Sequence, residues 1–348
     1  MQLPTVDEKA FLHFLTGLLN TPSPTGLAEP GILFTEQAFT ALPEVTTRRT
    51  RKGGLLVTWP GTLSNAPRAL TAHVDTLGAM VKEIKSSGRL VLTQLGGYAW
   101  NTIEGEGCTV FAHSGEKIRG SILLNTPSAH VHAGLVSDSK RNAETMEVRL
   151  DAQVFNQEDT LAQGIQVGDF IAFDPRVEVV NGFVRSRHLD DKAGVACIVA
   201  AFQALHAAGL APLQTTHVLI SNYEEVGHGA AAGIPAEVQE LVAVDMAAVG
   251  GGQTSDEFHS TLCVKDSGGP YHNGLSQHLR QLADAAGIPY KVDIYPYYGS
   301  DGEAFWRAGG DVAVALIGPG VDASHNYERT HRDALLATTQ WVMAYLLN

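Results

Sequence analysis

The spacing of apolar residues predicts an α/β arrangement in the first part of the chain. Apolar residues recur at helical spacing over residues 9–19, and the segment TPSPTG then ends this helix. A second helical stretch over residues 32–42 precedes two strand-like runs at 54–59 and 69–75. Helices that alternate with strands favour a sheet with helices on its faces.

The pattern changes after Asp75 and becomes rich in short strands with little helical periodicity. Gly-rich turns separate these strand-like pieces, which cover residues 81–93, 108–112, 117–124, 143–150 and 169–173. This section is therefore interpreted as a separate all-β unit.

The α/β pattern resumes at Leu189. Apolar residues at helical spacing predict a helix over residues 190–206, and Gly209 lies just past its end. Further elements are predicted in alternation: strands at 217–223, 241–245, 290–295 and 312–317, and helices at 275–286 and 332–347. The simplest organisation is an α/β domain, residues 1–75 plus 188–348, with an inserted β-rich domain at 76–187.

Length, charge and cysteine content limit the classes of function. At 348 residues the chain exceeds the usual size of one hydrophobic core. A formal net charge of -13, without a basic cluster, argues against nucleic-acid and anionic-membrane partners. No secretory signal and no run of about 18 apolar residues is present, so a cytoplasmic location is expected. Cys108, Cys197 and Cys263 form no CxxC pair, so any metal must be bound by His, Asp and Glu.

Five segments place acids or histidines where strands or helices end, which is where open α/β sheets build their sites. They are TAHVDTLG, RHLDDKAG, SNYEEVGHG, VAVDMA and DASHNYERTH. One such residue alone is more often structural than functional. Together they fit two divalent ions, which need a carboxylate bridge and further His or carboxylate ligands. Asp190 can bridge; His73 and Asp245 could then hold one ion, and Glu225 and His325 the other.

Two acids remain beside these ligands. In an extended strand Asp75 faces the same side as His73, and it could accept the second N–H of that imidazole. Glu224 is suited to act as the general base, taking a proton from metal-activated water and delivering it to a leaving amine.

The segments AHVD, LDDKAG, YEEVG, VDMA and SH, in this order, resemble the co-catalytic metallo-aminopeptidases of the M42 family, the glutamyl-aminopeptidase and tetrahedral-aminopeptidase group. The resemblance covers nearly the whole chain. It includes the insert, where GGYAWNTIEGEGCTVFAHSGEKIRGSI is similar to the family's insert in its GG and its G-x-x-V-x-V-x-x-x-x-G-x-x-x-G-x-I rhythm.

This resemblance implies the same site residues and supports their choice among the candidates. It implies metal ligands at His73, Asp190, Glu225, Asp245 and His325, a general base at Glu224, and the histidine-orienting role for Asp75. It further implies two divalent ions per chain, zinc or cobalt with manganese as an option. The implied fold is a mixed-sheet α/β/α, phosphorylase/hydrolase-like peptidase domain with an inserted β-barrel-like dimerisation domain. The implied assembly is a homo-oligomer, from a dimer up to a tetrahedral dodecamer, and an exposed sheet edge in the insert would be a natural pairing surface.

Two segments depart from the family pattern. YGSDGEAF matches the family's G-T-D-A region only loosely, with Ser300 and Gly302 in place of Thr and Ala, so the family's substrate preference is not carried over. SHNYERTH differs from the more usual histidine-threonine-proline form, which leaves His331 as a weaker candidate ligand than His325.

Other polar residues have simpler interpretations. His130 and His132 would share a strand face and could clip a metal, but a surface or oligomer-interface role is favoured. His228 could touch substrate or face solvent. Ser300 lies in no G-x-S-x-G elbow, which argues against a serine nucleophile.

The sequence also weighs against other functions. M20-type carboxypeptidases and deacylases usually carry a lid domain after the Glu pair, whereas this insert precedes Asp190. A glycosidase needs two carboxyl groups and no metal. A non-enzymatic, metal-bound scaffold has no support, because Glu224 and every expected ligand are present. The prediction is an aminopeptidase that acts on peptides.

Overall fold

The computed structural model describes residues 1–348, which form two compact units. Unit 1 consists of Met1–Asp75 and Arg176–Asn348, and unit 2 is Thr76–Pro175. The sequence pattern assigns residues 176–187 to the insert, whereas in the structure they lie in unit 1.

Nine helices and nineteen strands make up the fold. The helices are α1 (Glu8–Leu19), α2 (Glu29–Thr40), α3 (Ala129–His132), α4 (Gly134–Asp138), α5 (Gln157–Ala162), α6 (Leu189–Ala207), α7 (Asn273–Ala286), α8 (Asp301–Arg307) and α9 (Arg332–Leu346). The strands are β1 (Thr46–Arg49), β2 (Leu55–Trp59), β3 (Leu63–His73), β4 (Gly78–Ile84), β5 (Leu90–Leu95), β6 (Gly107–Phe111), β7 (Lys117–Leu124), β8 (Met146–Leu150), β9 (Phe170–Phe173), β10 (Glu178–Val180), β11 (Phe183–Ser186), β12 (Gln214–Ser221), β13 (Glu240–Val244), β14 (Ala247–Ala248), β15 (Ser260–Asp266), β16 (Gly269–Pro270), β17 (Tyr290–Ile294), β18 (Ala313–Val321) and β19 (Glu328–His331).

Unit 1 is built on a ten-stranded mixed sheet. Its main path runs β1-β2-β12-β3-β13-β18-β15-β16, with β14 paired to β18 and β17 paired to β15. The four central strands β12, β3, β13 and β18 are mutually parallel. A small second sheet has the order β10-β11-β19. The predicted mixed α/β class is confirmed.

Alternation along the central strands divides the core of unit 1 between the two faces of the sheet. In β13, Val242 and Val244 pack into the larger core with α1, α6 and α9. Leu241 and Ala243 point the other way, into a smaller core that α8 helps to cover. Strands that are buried on both faces read as continuous apolar runs, which is the pattern of LVAV in β13.

Local sequence explains where the first and largest helices form. Asp7 caps α1 by accepting hydrogen bonds from the main-chain N–H groups of Lys9 and Ala10. The helix α6 is buried along almost its whole length, because it lies among α1, α9 and the sheet. No helix in the structure combines the length and the apolar character needed to cross a membrane.

Unit 2 is a closed antiparallel barrel with its own core. The six strands β4-β5-β8-β7-β6-β9 close because β9 also pairs with β4. Inward residues such as Leu92, Val110 and Val148 fill its interior. The β-barrel-like prediction is confirmed, but closure leaves no free sheet edge of the kind expected for pairing. The expected strand around His130 and His132 is wrong: both lie in the short helix α3.

Candidate metal centre

The candidate ligands meet at the carboxyl ends of the central strands of the unit 1 sheet. His73 is the last residue of β3, Asp245 follows β13, and Glu224 and Glu225 form a turn after β12. His325 lies in the loop after β18. Because these four strands are parallel neighbours, their carboxyl ends meet, which is the usual place for a site in an α/β sheet. Asp190 lies at the same ends of the strands, at the beginning of α6, where its backbone is not helical.

Asp190 lies between the two histidines. Its Oδ1 is 3.1 Å from His73 Nε2, and its Oδ2 is 3.4 Å from His325 Nε2. The carboxylate is buried. Each of its two oxygens therefore faces a different imidazole, which is the geometry of a bridging carboxylate.

Each histidine also has a second carboxylate nearby. Asp245 Oδ1 is 4.0 Å from His73 Nε2, and Glu225 Oε2 is 3.5 Å from His325 Nε2. Ligand atoms of His73, Asp190 and Asp245 all lie within 4.8 Å of one another. This buried group could hold a metal ion. On the other side of Asp190, His325 has both Asp190 and Glu225 within 3.5 Å of its Nε2.

The main chain of Asp75 sets the tautomer of His73. With Nδ1 protonated, the ring donates a hydrogen bond to the Asp75 main-chain oxygen at 2.9 Å, whereas the Asp75 carboxylate is 3.7 Å away. The Nε2 lone pair then faces Asp190, as a metal ligand requires.

The Asp75 carboxylate stabilises the turn that contains Glu224 and Glu225. It accepts hydrogen bonds from the main-chain N–H groups of Glu224 at 3.2 Å and Glu225 at 3.4 Å, and from Thr25 Oγ1 at 2.8 Å. Asp75 thus holds the turn that presents both glutamates. Tyr223, directly before this turn, adopts a left-handed φ of 76°, a strain that the surrounding hydrogen bonds must maintain.

Burial and the crowding of acids shift the pKa values of the residues at this site. Burial raises the pKa of Glu225 to about 8 and that of Asp245 to about 7, and the neighbouring Asp190 adds to both. Burial would lower the pKa of His73, but Glu224, Asp190 and Asp245 raise it well above its ordinary value. Buried carboxylates with imidazoles between them form a mixed N and O donor set that suits divalent first-row ions. The donor chemistry therefore fits the implied metals.

Two acids to which the sequence analysis gave no role support the candidate ligands. Glu328 is fully buried and accepts hydrogen bonds from the main-chain N–H of Asp190 and of His325, both at 3.0 Å. Asp191 accepts from His73 N at 3.3 Å. Their closeness in sequence to candidate ligands could have identified them, because Glu328 lies three residues after His325 and Asp191 follows Asp190 directly.

A cavity of about 370 Å³ opens beside these ligands. Apart from the ligands and Glu224, its walls include Tyr298, Ser300, Glu303 and Arg307. Ser300 precedes α8 and its Oγ lies 2.7 Å from Tyr271 Oη, so the hydroxyl is engaged in a hydrogen bond at the wall.

The remaining histidines lie in other surroundings. His331 packs against the rings of Phe183 and Phe258, and its Nδ1 accepts from Asp333 N at the start of α9. His228 is exposed and stacks on Tyr223. On α3 in unit 2, His130 is exposed and His132 is half-buried.

Comparison with known sequences points to an aminopeptidase family. The sequence model of the M42 glutamyl aminopeptidase family matches residues 53–340. The candidate aminopeptidase YhfE of Bacillus subtilis strain 168 is 47% identical over 336 residues, which are 96% of each chain.

Solved structures share the fold. The TET aminopeptidase of a marine-sediment Thaumarchaeota archaeon superposes with a TM-score of 0.87 at 16% identity, covering 97% of this chain and 96% of that one. The Pyrococcus horikoshii TET1 peptidase, which can assemble into a tetrahedron or a large octahedral shell, gives 0.82 at 21% identity, covering 97% and 99%.

Proposed function

Because this chain belongs to the M42 glutamyl aminopeptidase family and is a peptide hydrolase, we propose that it is a dinuclear-metal aminopeptidase that removes N-terminal residues from peptides. The observation that carries the proposal is Asp190, whose two carboxylate oxygens face the Nε2 atoms of two different histidines. A carboxylate in this position can be shared by two cations.

The remaining ligands follow from the same geometry. His73 and Asp245 complete one site with Asp190, and Glu225 and His325 complete the other. Zinc or cobalt, or else manganese, suits these donors. Bound ions would supply Lewis-acid polarisation of the peptide carbonyl and lower the pKa of water at the site.

Glu224 is the residue proposed to move the proton. Its Oε2 is 3.6 Å from His73 Nε2, so it lies at the ligand cluster, and its main chain is held by Asp75. Burial raises the pKa of Glu224 well above its ordinary value. A carboxyl group with a raised pKa can accept a proton from water and then donate it to the leaving amine.

The cavity beside Glu224 suits an exopeptidase. At about 370 Å³ it is at the small end of the range for ligand sites and is large enough for one N-terminal residue and the scissile bond. We place the N-terminal side chain against Tyr298, Ser300 and α8. Asp301, the first residue of α8, accepts a hydrogen bond from Ala230 N at 2.7 Å, and so connects this wall to the segment that follows Glu225.

Cleavage of matched peptides tests the reaction. We expect hydrolysis of peptides and amino-acid p-nitroanilides that have a free N-terminus, no hydrolysis of the same peptides after N-acetylation, and loss of activity with a chelator. Mass spectrometry of the products would show single residues released in order. Preferential cleavage of the acetylated peptides, or release from the C-terminus, would instead favour an M20-like deacylase or carboxypeptidase.

Self-association through unit 2 is the second part of the proposal. Pyrococcus horikoshii TET1 can assemble into a tetrahedron or a large octahedral shell, and we propose that this chain forms at least a dimer. The closed barrel offers no strand edge, so contact must be made by side chains. On α3 and α4, Val131 is 73% exposed and Leu135 is 59% exposed, which supplies apolar surface for such a contact.

Sedimentation velocity at micromolar concentration checks this assembly. We expect a species of two or more chains for wild type, and a shift towards monomer for Leu135→Asp, because a buried unpaired carboxylate opposes association. Ser137→Asp, on the same helix, is the matched control. A wild-type monomer at this concentration would contradict the proposal.

A further inference from the structure

Three basic side chains line a second cavity, on the outer surface of the barrel in unit 2. This cavity is about 650 Å³, and its walls include Lys85, Arg89, Arg149, Glu147 and Phe155. All of these residues belong to unit 2, and none is part of the candidate metal centre.

The charges around this cavity do not balance. The buried Glu147 carboxylate accepts from Lys85 Nζ at 2.7 Å and also from Arg89. Arg149 is exposed and its side chain makes no ion pair or hydrogen bond. The residues that line the cavity thus include three cationic groups and one carboxylate, which leaves two positive charges in a chain whose formal net charge is -13.

The strand register brings two of these cations together. Leu90 on β5 is opposite Val148 on β8. Continuing this antiparallel register by one residue places Arg89 opposite Arg149. Like charges directly opposite each other destabilise a sheet, and the barrel core is formed by the inward residues and does not require them. An anion bound between the two guanidinium groups would offset this repulsion.

The walls of the cavity are fixed in place by α5. Thr160 Oγ1 donates to Gly88 O at 2.7 Å, which fixes the turn between Lys85 and Arg89. Asp159, also on α5, accepts a hydrogen bond from the main-chain N–H of Phe155 at 2.8 Å. The cavity is therefore formed before any ligand binds, which lowers the entropic cost of binding.

We propose that this cavity binds a small organic molecule that carries a phosphate group. Guanidinium forks bind such oxyanions with paired, charge-assisted hydrogen bonds, which favours Arg89 and Arg149 as the phosphate ligands. The cavity is much larger than a phosphate ion, and Phe155 is 79% exposed at its rim. A large exposed aromatic ring beside an oxyanion site suits an organic body attached to the phosphate.

Calorimetric titration of the full-length protein with inorganic phosphate and with phenyl phosphate tests this site. Ionic strength is held constant with chloride, so that general screening is the same in each titration. We expect saturable binding of both probes, with the tighter binding for phenyl phosphate. Arg149→Gln should weaken both by about tenfold or more, because a hydrogen bond to a charged group is lost. Phe155→Ala should weaken phenyl phosphate alone.

Arg48→Gln is the matched control, because it removes the same charge from an exposed position in unit 1. It should leave both affinities unchanged. Without added phosphate, Arg149→Gln should keep or raise the Tm, which shows that the variant is folded. Absence of saturable binding at millimolar concentration, or equal binding by wild type and Arg149→Gln, would overturn the proposal. Equal binding would show that the anion binds without Arg149.

Discussion

Glu224→Gln is expected to lower turnover by about 100- to 10,000-fold, the range for loss of a well-placed general acid–base. Gln has nearly the same shape as Glu but cannot accept the proton that Glu224 is proposed to take. Its main-chain N–H should keep the hydrogen bond to Asp75, so the turn should keep its structure. The measurement is kcat on a p-nitroanilide substrate together with metal content by elemental analysis.

Two matched variants separate this effect from a general loss of charge. Glu225→Gln changes the neighbouring proposed ligand and should lower metal content first, with partial rescue by excess metal. Glu237→Gln changes an exposed glutamate, 60% accessible at its side chain, and should have no effect. A fully metallated Glu224→Gln enzyme within a few-fold of wild-type turnover would show that Glu224 is not the base.

Asp190→Asn is expected to lower activity by about 1,000-fold or more, since Lewis-acid stabilisation contributes several kcal/mol and each 1.36 kcal/mol is a factor of ten. The side-chain amide of Asn has only one oxygen. It cannot place one oxygen towards His73 and another towards His325, as the Asp190 carboxylate does. We expect elemental analysis to find two divalent ions per wild-type chain and loss of both in this variant. A chelator should reproduce the loss in the wild-type enzyme.

His325→Ala provides the contrast, because it removes a ligand from only one side of Asp190. It should release one ion more readily than the other and recover activity partly in excess zinc, cobalt or manganese. If elemental analysis of active wild-type protein found no stoichiometric metal, the dinuclear mechanism would be ruled out. Equal metal content in wild type and Asp190→Asn would remove Asp190 as the bridge while leaving the other ligands to be tested.

Local pattern was a good guide where one element decides its own structure. The helical spacing of apolar residues over 9–19 corresponds to α1, and the strand-like run at 117–124 corresponds to β7. These elements form because a helix or strand with one apolar face needs only a core to cover it. Weakly patterned elements were missed, such as β15, whose register depends on pairing with β18 far along the chain.

The candidate site residues could be chosen from sequence because acids and histidines are grouped at the predicted strand ends. The contact that each residue makes could not be predicted. Asp75 was expected to hold His73 through its carboxylate. In the structure, the Asp75 main-chain oxygen lies 2.9 Å from His73 Nδ1. The Asp75 carboxylate instead accepts a hydrogen bond from the main-chain N–H of Glu224. The direction of a side chain depends on partners 149 and 150 residues away, which no local pattern encodes.

By itself, the sequence determined the strongly patterned elements, the α/β class with a β-rich insert, and the set of acids and histidines that could bind metal. These follow from periodicity and residue chemistry, which are local properties. Tertiary structure alone decided that the barrel closes, that Glu328 contacts two candidate ligands, and that Arg89 and Arg149 line one cavity. Each of these depends on strand register and on contacts between distant segments, since a shift of one residue would turn every side chain of a strand to the other face.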